Sequence, residues 1–218
     1  MESGKSTMRL IWAVVGIVAC LGAAKAQDRA GAFDYYVLAL SWNASWCRAE
    51  GDARNAEQCD PRYDLGFVLH GLWPQSEDDW PEYCRAEVRD PSRRETGAQA
   101  DLYGSGGLAW HQWKKHGRCS GLSSRQYFAL AREAYKRVSR PALLRQLSEP
   151  VRIDPDVVED AFLEENQWLT PESVRVTCRD GLIREVRICL DRGLEPRACS
   201  RSVQRHCPLD RALLPPMR

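Results

Sequence analysis

The sequence predicts an α+β fold in which a central antiparallel β-sheet is flanked by helices and held by four disulfides. Three observations lead there. Helical and extended segments come in blocks rather than in strict strand–helix alternation, the pattern of an antiparallel sheet with segregated helices. Hydrophobic residues make up 44% of the 218, enough for a substantial core in one domain of ordinary size. Eight of the nine cysteines lie beyond a short N-terminal leader, and an even number in an exported chain reads as a disulfide framework.

The leader is a separate object. MESGKSTMR is a short basic start, LIWAVVGIVACLGAA is an apolar run, and AKA before Gln27 is a small-x-small cleavage site. The run is too short for a comfortable membrane span, so residues 1–26 are expected to be a signal peptide and 27–218 a single domain. IVAC resembles a lipoprotein box, but the apolar run continues past Cys20 to the conventional site, which disfavours a lipid anchor. The leader carries Lys5, Arg9, Lys25 and Glu2, so of 31 basic and 30 acidic residues in the whole chain, 28 and 29 remain. That balance excludes a general polyelectrolyte binder, and any grip on nucleic acid must be local. The remaining cysteines, 47, 59, 84, 119, 178, 189, 199 and 207, include no C-x-x-C pair, which argues against a zinc cluster.

FDYYVLALSW (33–42) is rich in aromatic and β-branched residues and reads as a strand. LGFVLHGLW (65–73) is a second apolar run with little charge and reads as a central strand ending at Gly71 or Pro74. SEDDWPEYC (76–84) reads as a turn with room for one short helix, and the polar, Gly-rich stretch 90–107 as a loop. Helices follow at 108–117, with Gly117 as C-cap, at 122–138 after a serine start, and at 154–166 with Asp154 as N-cap. VRVTCRDGLIREVRICL (174–190) alternates around Arg179-Asp180-Gly181 and reads as a hairpin, followed by a cysteine-clamped tail. The sequon Asn43-Ala44-Ser45 matters only in a eukaryotic secretory pathway.

HQWKKHGRCS (111–120) holds two of the chain's four histidines. At about 100° per residue, His111, Lys115, Gln112 and His116 fall at about 0°, 40°, 100° and 140° on a helical wheel. One arc holds all four, and Trp113 lies on the other side as an anchor. On this segment alone, a solvated face over one buried tryptophan is an equally simple reading. FVLHGLWPQ (67–75) adds His70 at the end of an apolar strand, a position where a satisfied core histidine is the ordinary case. His206, near the tail, reads as a surface or structural histidine.

Together, FVLHGLWPQ and HQWKKHGRC resemble the two active-site segments of the ribonuclease T2 family, whose patterns read HGLWP and H-E-W-x-K-H-G-x-C. The resemblance takes in YYVLALSW with Trp46-Cys47, and CSGLSSRQYF, and so covers most of residues 33–130. Cysteine spacing alone links the C-terminal third. The short leader and compact loops suit a bacterial, exported member, periplasmic or secreted and monomeric.

The resemblance implies a metal-independent endoribonuclease of low base specificity, cleaving single-stranded RNA by transphosphorylation through a 2′,3′-cyclic phosphate. His116 resembles the family's general base and His70 its general acid, a task for which imidazole is suited near neutrality. His111 and Lys115 then hold the phosphate and offset its developing charge. The nucleophile is the substrate's 2′-OH, so DNA should be left uncut. The family has glutamate where this chain has Gln112, which can hydrogen-bond a phosphoryl oxygen or orient Lys115 but carries no charge. Trp73 and Trp80 are candidates for stacking on a base, and Gln75 stands where members often carry an acidic residue linked to base selection. Trp42 and Trp110 are assigned to packing. The family's disulfide pattern implies Cys47–Cys59, Cys84–Cys119, Cys178–Cys207 and Cys189–Cys199.

Two other readings compete. Three histidines can ligate zinc, but His111 and His116 are i, i+5, whereas a zincin helix uses i, i+4 around a glutamate. Alternatively, an exported homologue impaired by Gln112 binds RNA or a partner protein without cleaving it. The intact set of His70, His111, Lys115 and His116 opposes that.

Overall fold

β1 (Tyr35–Trp42) organises the architecture because both of its faces are covered. Tyr36, Leu38, Leu40 and Trp42 alternate into the main core, while Tyr35 and Val37 join a smaller cluster with Cys189, Cys199 and Val203. Burial on both sides is why the strand reads as an almost unbroken apolar run. The Trp42 indole N–H donates to the Pro215 carbonyl at 2.8 Å and ties the C-terminal segment to the core. The computed structural model describes Met1 and residues 29–204 and 207–218. The rest of the expected signal peptide, with Cys20, and His206 lie outside the described residues.

β2 (Phe67–Gln75) and β5 (Leu182–Leu190) flank β1, both antiparallel to it. β4 (Val174–Arg179) pairs with β5 through the expected hairpin, whose turn residues Asp180 and Gly181 sit at φ 54° and 75°. Two successive positive φ angles are the type I′ signature that Asp-Gly supplies. β3 (Val151–Ile153) and β6 (Ala212–Leu214) form an antiparallel pair, and β6 meets β5 in parallel only at Leu182–Leu213. The fold is thus the α+β class read from the sequence, its sheet antiparallel except at that one contact. β2 ends at Gln75, one residue past the later of its two expected ends, and runs through Pro74. It lies at an edge of the sheet and not at its centre as expected, and at an edge a missing N–H is tolerated; its apolar run reflects burial by the helices and the cleft rather than a strand on either side.

Helices cover the core face. The short α1 (Asn43–Trp46) continues β1, and its sequon residue Asn43 is buried, with its amide bonded to Gln58. The expected loop at 90–107 instead contains α2 (Arg93–Gly97) and α3 (Ala100–Tyr103), and α4 (Gly106–Lys115) starts within it. Local capping is the reason. Ser92 and Glu95 form a reciprocal capping box, Gly104 ends α3 at φ 79°, and the Ser105 hydroxyl accepts from the Leu108 N–H at 3.1 Å. The stretch 76–84 contains no helix.

α5 (Ser124–Arg137) packs Tyr127, Phe128, Ala131 and Ala134 into the core. Its Tyr127 and Tyr135 hydroxyls donate to the Leu72 and Phe67 carbonyls of β2 at 2.9 and 2.8 Å. α6 (Ala142–Arg145) and α7 (Pro155–Glu165) complete the layer, the latter capped by Asp154 as expected. Disulfides join Cys47 to Cys59, Cys84 to Cys119, Cys178 to Cys207 and Cys189 to Cys199.

α4 is fixed from below by one carboxylate. Asp90 accepts from the Trp113 indole N–H at 2.8 Å and from the Arg118 guanidinium at 2.5–3.0 Å. Burial pushes the Asp90 carboxyl up, but Arg118, Trp113 and Lys114 together hold it below the usual carboxylate range. Gly117 is needed for close approach, since a Cβ there would stand 2.6 Å from the Trp113 ring and 2.9 Å from Tyr127. Asp90→Ala would strand both donors, and a loss of about 2–3 kcal/mol is expected from urea unfolding. A loss below about 0.5 kcal/mol would show that Trp113 packing alone holds α4.

Candidate active site

The site begins with an irregularity in β2. Ala39 of β1 faces Gly71 and Leu40 faces Leu69, so His70 is left unpaired as the extra residue of a β-bulge. A bulge re-aims side chains, and here the alternation changes phase across it. Phe67, Leu69 and Leu72 enter the core, whereas Val68, His70, Trp73 and Gln75 line the clefts on the other face.

β1 and β5 complete the floor. Ser41 faces Glu185 and Ala39 faces Arg187 across the β1–β5 ladder. His70 and Glu185 are therefore two strands apart, a separation of about 10 Å between backbones. They can meet only because the intervening side chains, Ala39 and Ser41, are small. His70 Nδ1 donates to Glu185 Oε1, and Glu185 Oε2 accepts from Arg187 Nε at 3.0 Å and Nη2 at 2.9 Å. Burial pushes the Glu185 carboxyl up, yet the charges and hydrogen bonds of His70 and Arg187 outweigh it and pull it down to about 2. Since Glu185 is ionised, the proton between the two groups sits on Nδ1, leaving Nε2 of His70 to the cleft.

α4 supplies the opposite wall. His116 ends the helix at φ −120° and ψ −43°, not in the left-handed turn of a glycine cap. It is 6% exposed, and its Nδ1 is buried without a protein partner. Burial, followed by the charges of Lys115, His70 and His111, pushes His116 down to about 3. His111 is exposed on the same arc, and Lys115 pairs with Glu82 at 2.9 Å.

Trp73 stands between the two walls. Its ring lies 5.1 Å from His70, edge-on, and 5.2 Å from His116, tilted by 30°. The Arg187 guanidinium lies 5.4 Å from its centre. The Trp73 indole N–H donates at 2.7 Å to Gln112 Oε1, and Gln112 is 2% exposed. Gln112 is thus turned to Trp73 rather than to Lys115. Gly71 makes room for this bond, because a Cβ there would collide with both of its atoms.

His70, Trp73, Gln75, Trp80, His111, Gln112, Lys115 and His116 line one cleft of about 470 Å³. Every site residue expected from the sequence is therefore in one place. Trp80 sits on the rim, 54% exposed. A second cleft of about 780 Å³ adjoins the first, sharing His70, His111, Glu185 and Arg187 and continuing to Arg54, Arg179 and Arg184. Trp110, assigned to packing, is instead 38% exposed with the Lys114 ammonium 5.7 Å from its ring, because Trp113 occupies the buried side of α4. Trp42 is wholly buried. Glu185 and Arg187 escaped the sequence reading; the signal for them was two charges at strand spacing in LIREVRICL, whose other face is Val186, Ile188 and Leu190. Among the described residues no three His, Cys, Asp or Glu side chains converge as metal ligands, and no helix is long and apolar enough to cross a membrane.

One cleft between sheet and helix thus gathers three histidines and a lysine around Trp73, a set suited to moving protons and holding an anion. The chain belongs to the ribonuclease T2 family, whose model matches residues 33–199. It is 34% identical over 186 residues to a ribonuclease of Aeromonas hydrophila, covering 84% of each chain. A probable ribonuclease of Haemophilus influenzae is 28% identical, over 53% of this chain and 47% of that one. In fold it is similar to an RNase-related protein from Calystegia sepium, with a TM-score of 0.67 at 21% identity over 84% of this chain and 97% of that one.

The depressed His116 has a measurable consequence. In the unfolded chain its imidazole takes up a proton near pH 6.5, whereas in the folded chain it does so only near 3. The unfolded state therefore binds more protons between those values, and stability falls as the pH drops through that window, by at most ~1.4 kcal/mol per pH unit. Urea midpoints at pH 7, 5.5 and 4 should decline steadily, and less so in His116→Phe. A ¹⁵N titration showing His116 protonated at pH 5.5 would contradict the burial argument.

Proposed function

We propose that this protein is an exported endoribonuclease that cleaves single-stranded RNA by transphosphorylation, through a 2′,3′-cyclic phosphate and without a metal. The observation that carries the reading is the contrast between two histidines either side of Trp73. His116 is buried and held neutral, so its imidazole is unprotonated and able to accept the proton of the ribose 2′-OH, the task of a general base. His70 has an ionised carboxylate behind it, which balances an imidazolium and suits the acid that protonates the leaving 5′-oxygen.

His111 and Lys115 line the same cleft as the two histidines and supply positive charge to the phosphorane-like transition state. Lys115 starts from a pairing with Glu82, so the phosphate competes with that carboxylate for it. Gln112 gives Trp73 an acceptor, a task that an amide oxygen performs as a carboxylate does. That supports catalysis despite the missing glutamate. Trp80, exposed at the rim, and Gln75 are the base-contacting residues, while Trp73 serves as a spacer between the histidines. The second cleft, with Arg54, Arg179 and Arg184, receives the chain on the far side of the scissile phosphate. The leader sends the enzyme, as a monomer, to the periplasm or beyond.

In EDTA between pH 4 and 8, single-stranded RNA should be cut to 2′,3′-cyclic ends and matched DNA left intact. His70→Ala and His116→Ala should each lower kcat by about 10²–10⁴-fold. Near-wild-type turnover in His116→Ala would contradict the assignment. Gln112→Glu keeps the acceptor for Trp73 but adds a negative charge beside His116, which eases protonation of the base. The acidic limb of the pH–rate profile should therefore move to higher pH, and an unmoved limb would place the charge of residue 112 outside the reach of His116.

A further inference from the structure

We infer that Glu185, clamped by Arg187, is a positioning residue for the reaction, and that it sets the tautomer and the orientation of His70. The inference rests on the reading of His70 as the general acid and deepens it. Three observations on different elements converge. The bulge leaves His70 without a facing residue in the ladder, so the ladder does not orient its ring. Ala39 and Ser41 leave an open path above β1, and one carboxylate spans it. That carboxylate is only 8% exposed and spends one oxygen on His70 Nδ1 and the other on Arg187.

A carboxylate buried at this depth is not what a sheet needs for stability. Removing an ion from water is costly, and an apolar residue of similar size would satisfy the strand at less expense. What the carboxylate does provide is direction. By holding Nδ1–H it commits the other nitrogen, Nε2, to carry the proton that leaves, and it fixes the plane in which that proton is delivered. Arg187 keeps the carboxylate from swinging toward the solvent, and the Trp73 ring closes the remaining side of His70.

The charged and titratable groups that share a cleft with His70 are Glu185 and Arg187 on β5, His111, Lys115 and His116 on α4 with Glu82 beside Lys115, and, in the second cleft, Glu50, Arg54, Glu57, Arg179 and Arg184. Glu185 is the one negative charge hydrogen-bonded to the ring among these. It also lies on a different element from position 112, where the family pattern carries its carboxylate. In this chain the buried negative charge of the site is contributed by the sheet and not by the catalytic helix.

The test compares wild type, Glu185→Gln, Glu185→Asp and His70→Ala on a dinucleotide substrate, with urea unfolding of each. Glu185→Gln should lower kcat by about 10- to 100-fold, an effect the size of misorienting one proton donor, with KM changed less than twofold. Glu185→Asp should recover part of kcat. In wild type the His70 Nδ1 proton should appear as a far-downfield resonance that disappears in a Glu185→Gln protein shown to be folded by its urea transition. If His70→Ala is inactive while Glu185→Gln keeps wild-type kcat and the downfield resonance, the role assigned to Glu185 is wrong and His70 stands. If His70→Ala is itself active, the acid assignment falls first.

Discussion

Everything at the site depends on one extra residue in β2. The bulge at His70 shifts the strand's alternation, so that Val68 and, beyond it, Trp73 and Gln75 share a face that strict period two would have divided. The core is unaffected because Leu69 and Leu72 still point into it. A regular strand of the same composition would have sent either the histidine or the tryptophan into the apolar interior. The irregularity lies on an edge strand, where it disturbs one ladder rather than two.

Around that bulge the protein builds two different electrical settings within about one tryptophan's width. On the sheet side, a buried carboxylate is paired with a half-buried guanidinium, which offsets part of its burial cost. On the helix side, His116 is desolvated alone and is kept neutral by that fact. Trp73 separates the two, and Gln112 and Gly71 hold Trp73. Such a division of labour is how a pair of like groups acquires opposite duties. It carries a stability cost on the acid side, since both His116 and Glu185 take up protons more readily when unfolded than when folded.

Much of this was legible in the sequence, for reasons that differ by element. β1 showed itself through burial on both faces, α5 through its 3.6-residue period, and the hairpin through Asp180-Gly181. The stretch 90–107 was misread because helices of four or five residues are too short to show a period. Only the caps at Ser92 and Ser105 betrayed them. The cleft residues of α4 were visible as an arc because helical neighbours are also sequence neighbours. Glu185 was invisible for the opposite reason. Its partner His70 lies 115 positions away in the chain, and a glutamate between arginines in an alternating strand looks like a solvent face. Trp110 misled by residue type alone, since tryptophan is usually packed and here Trp113 had already filled the buried side of the helix.

The central claim is that His70 gives a proton to the leaving oxygen while His116 takes one from the attacking hydroxyl. The most direct measurement replaces the 5′-bridging oxygen of an RNA dinucleotide with sulfur, a leaving group that needs no protonation. Single-turnover cleavage of this substrate is then compared in wild type, His70→Ala and His116→Ala. The account predicts that sulfur restores most of the rate lost in His70→Ala and little of that lost in His116→Ala. Rescue of His116→Ala instead would reverse the two roles and contradict the electrostatic argument on which they rest.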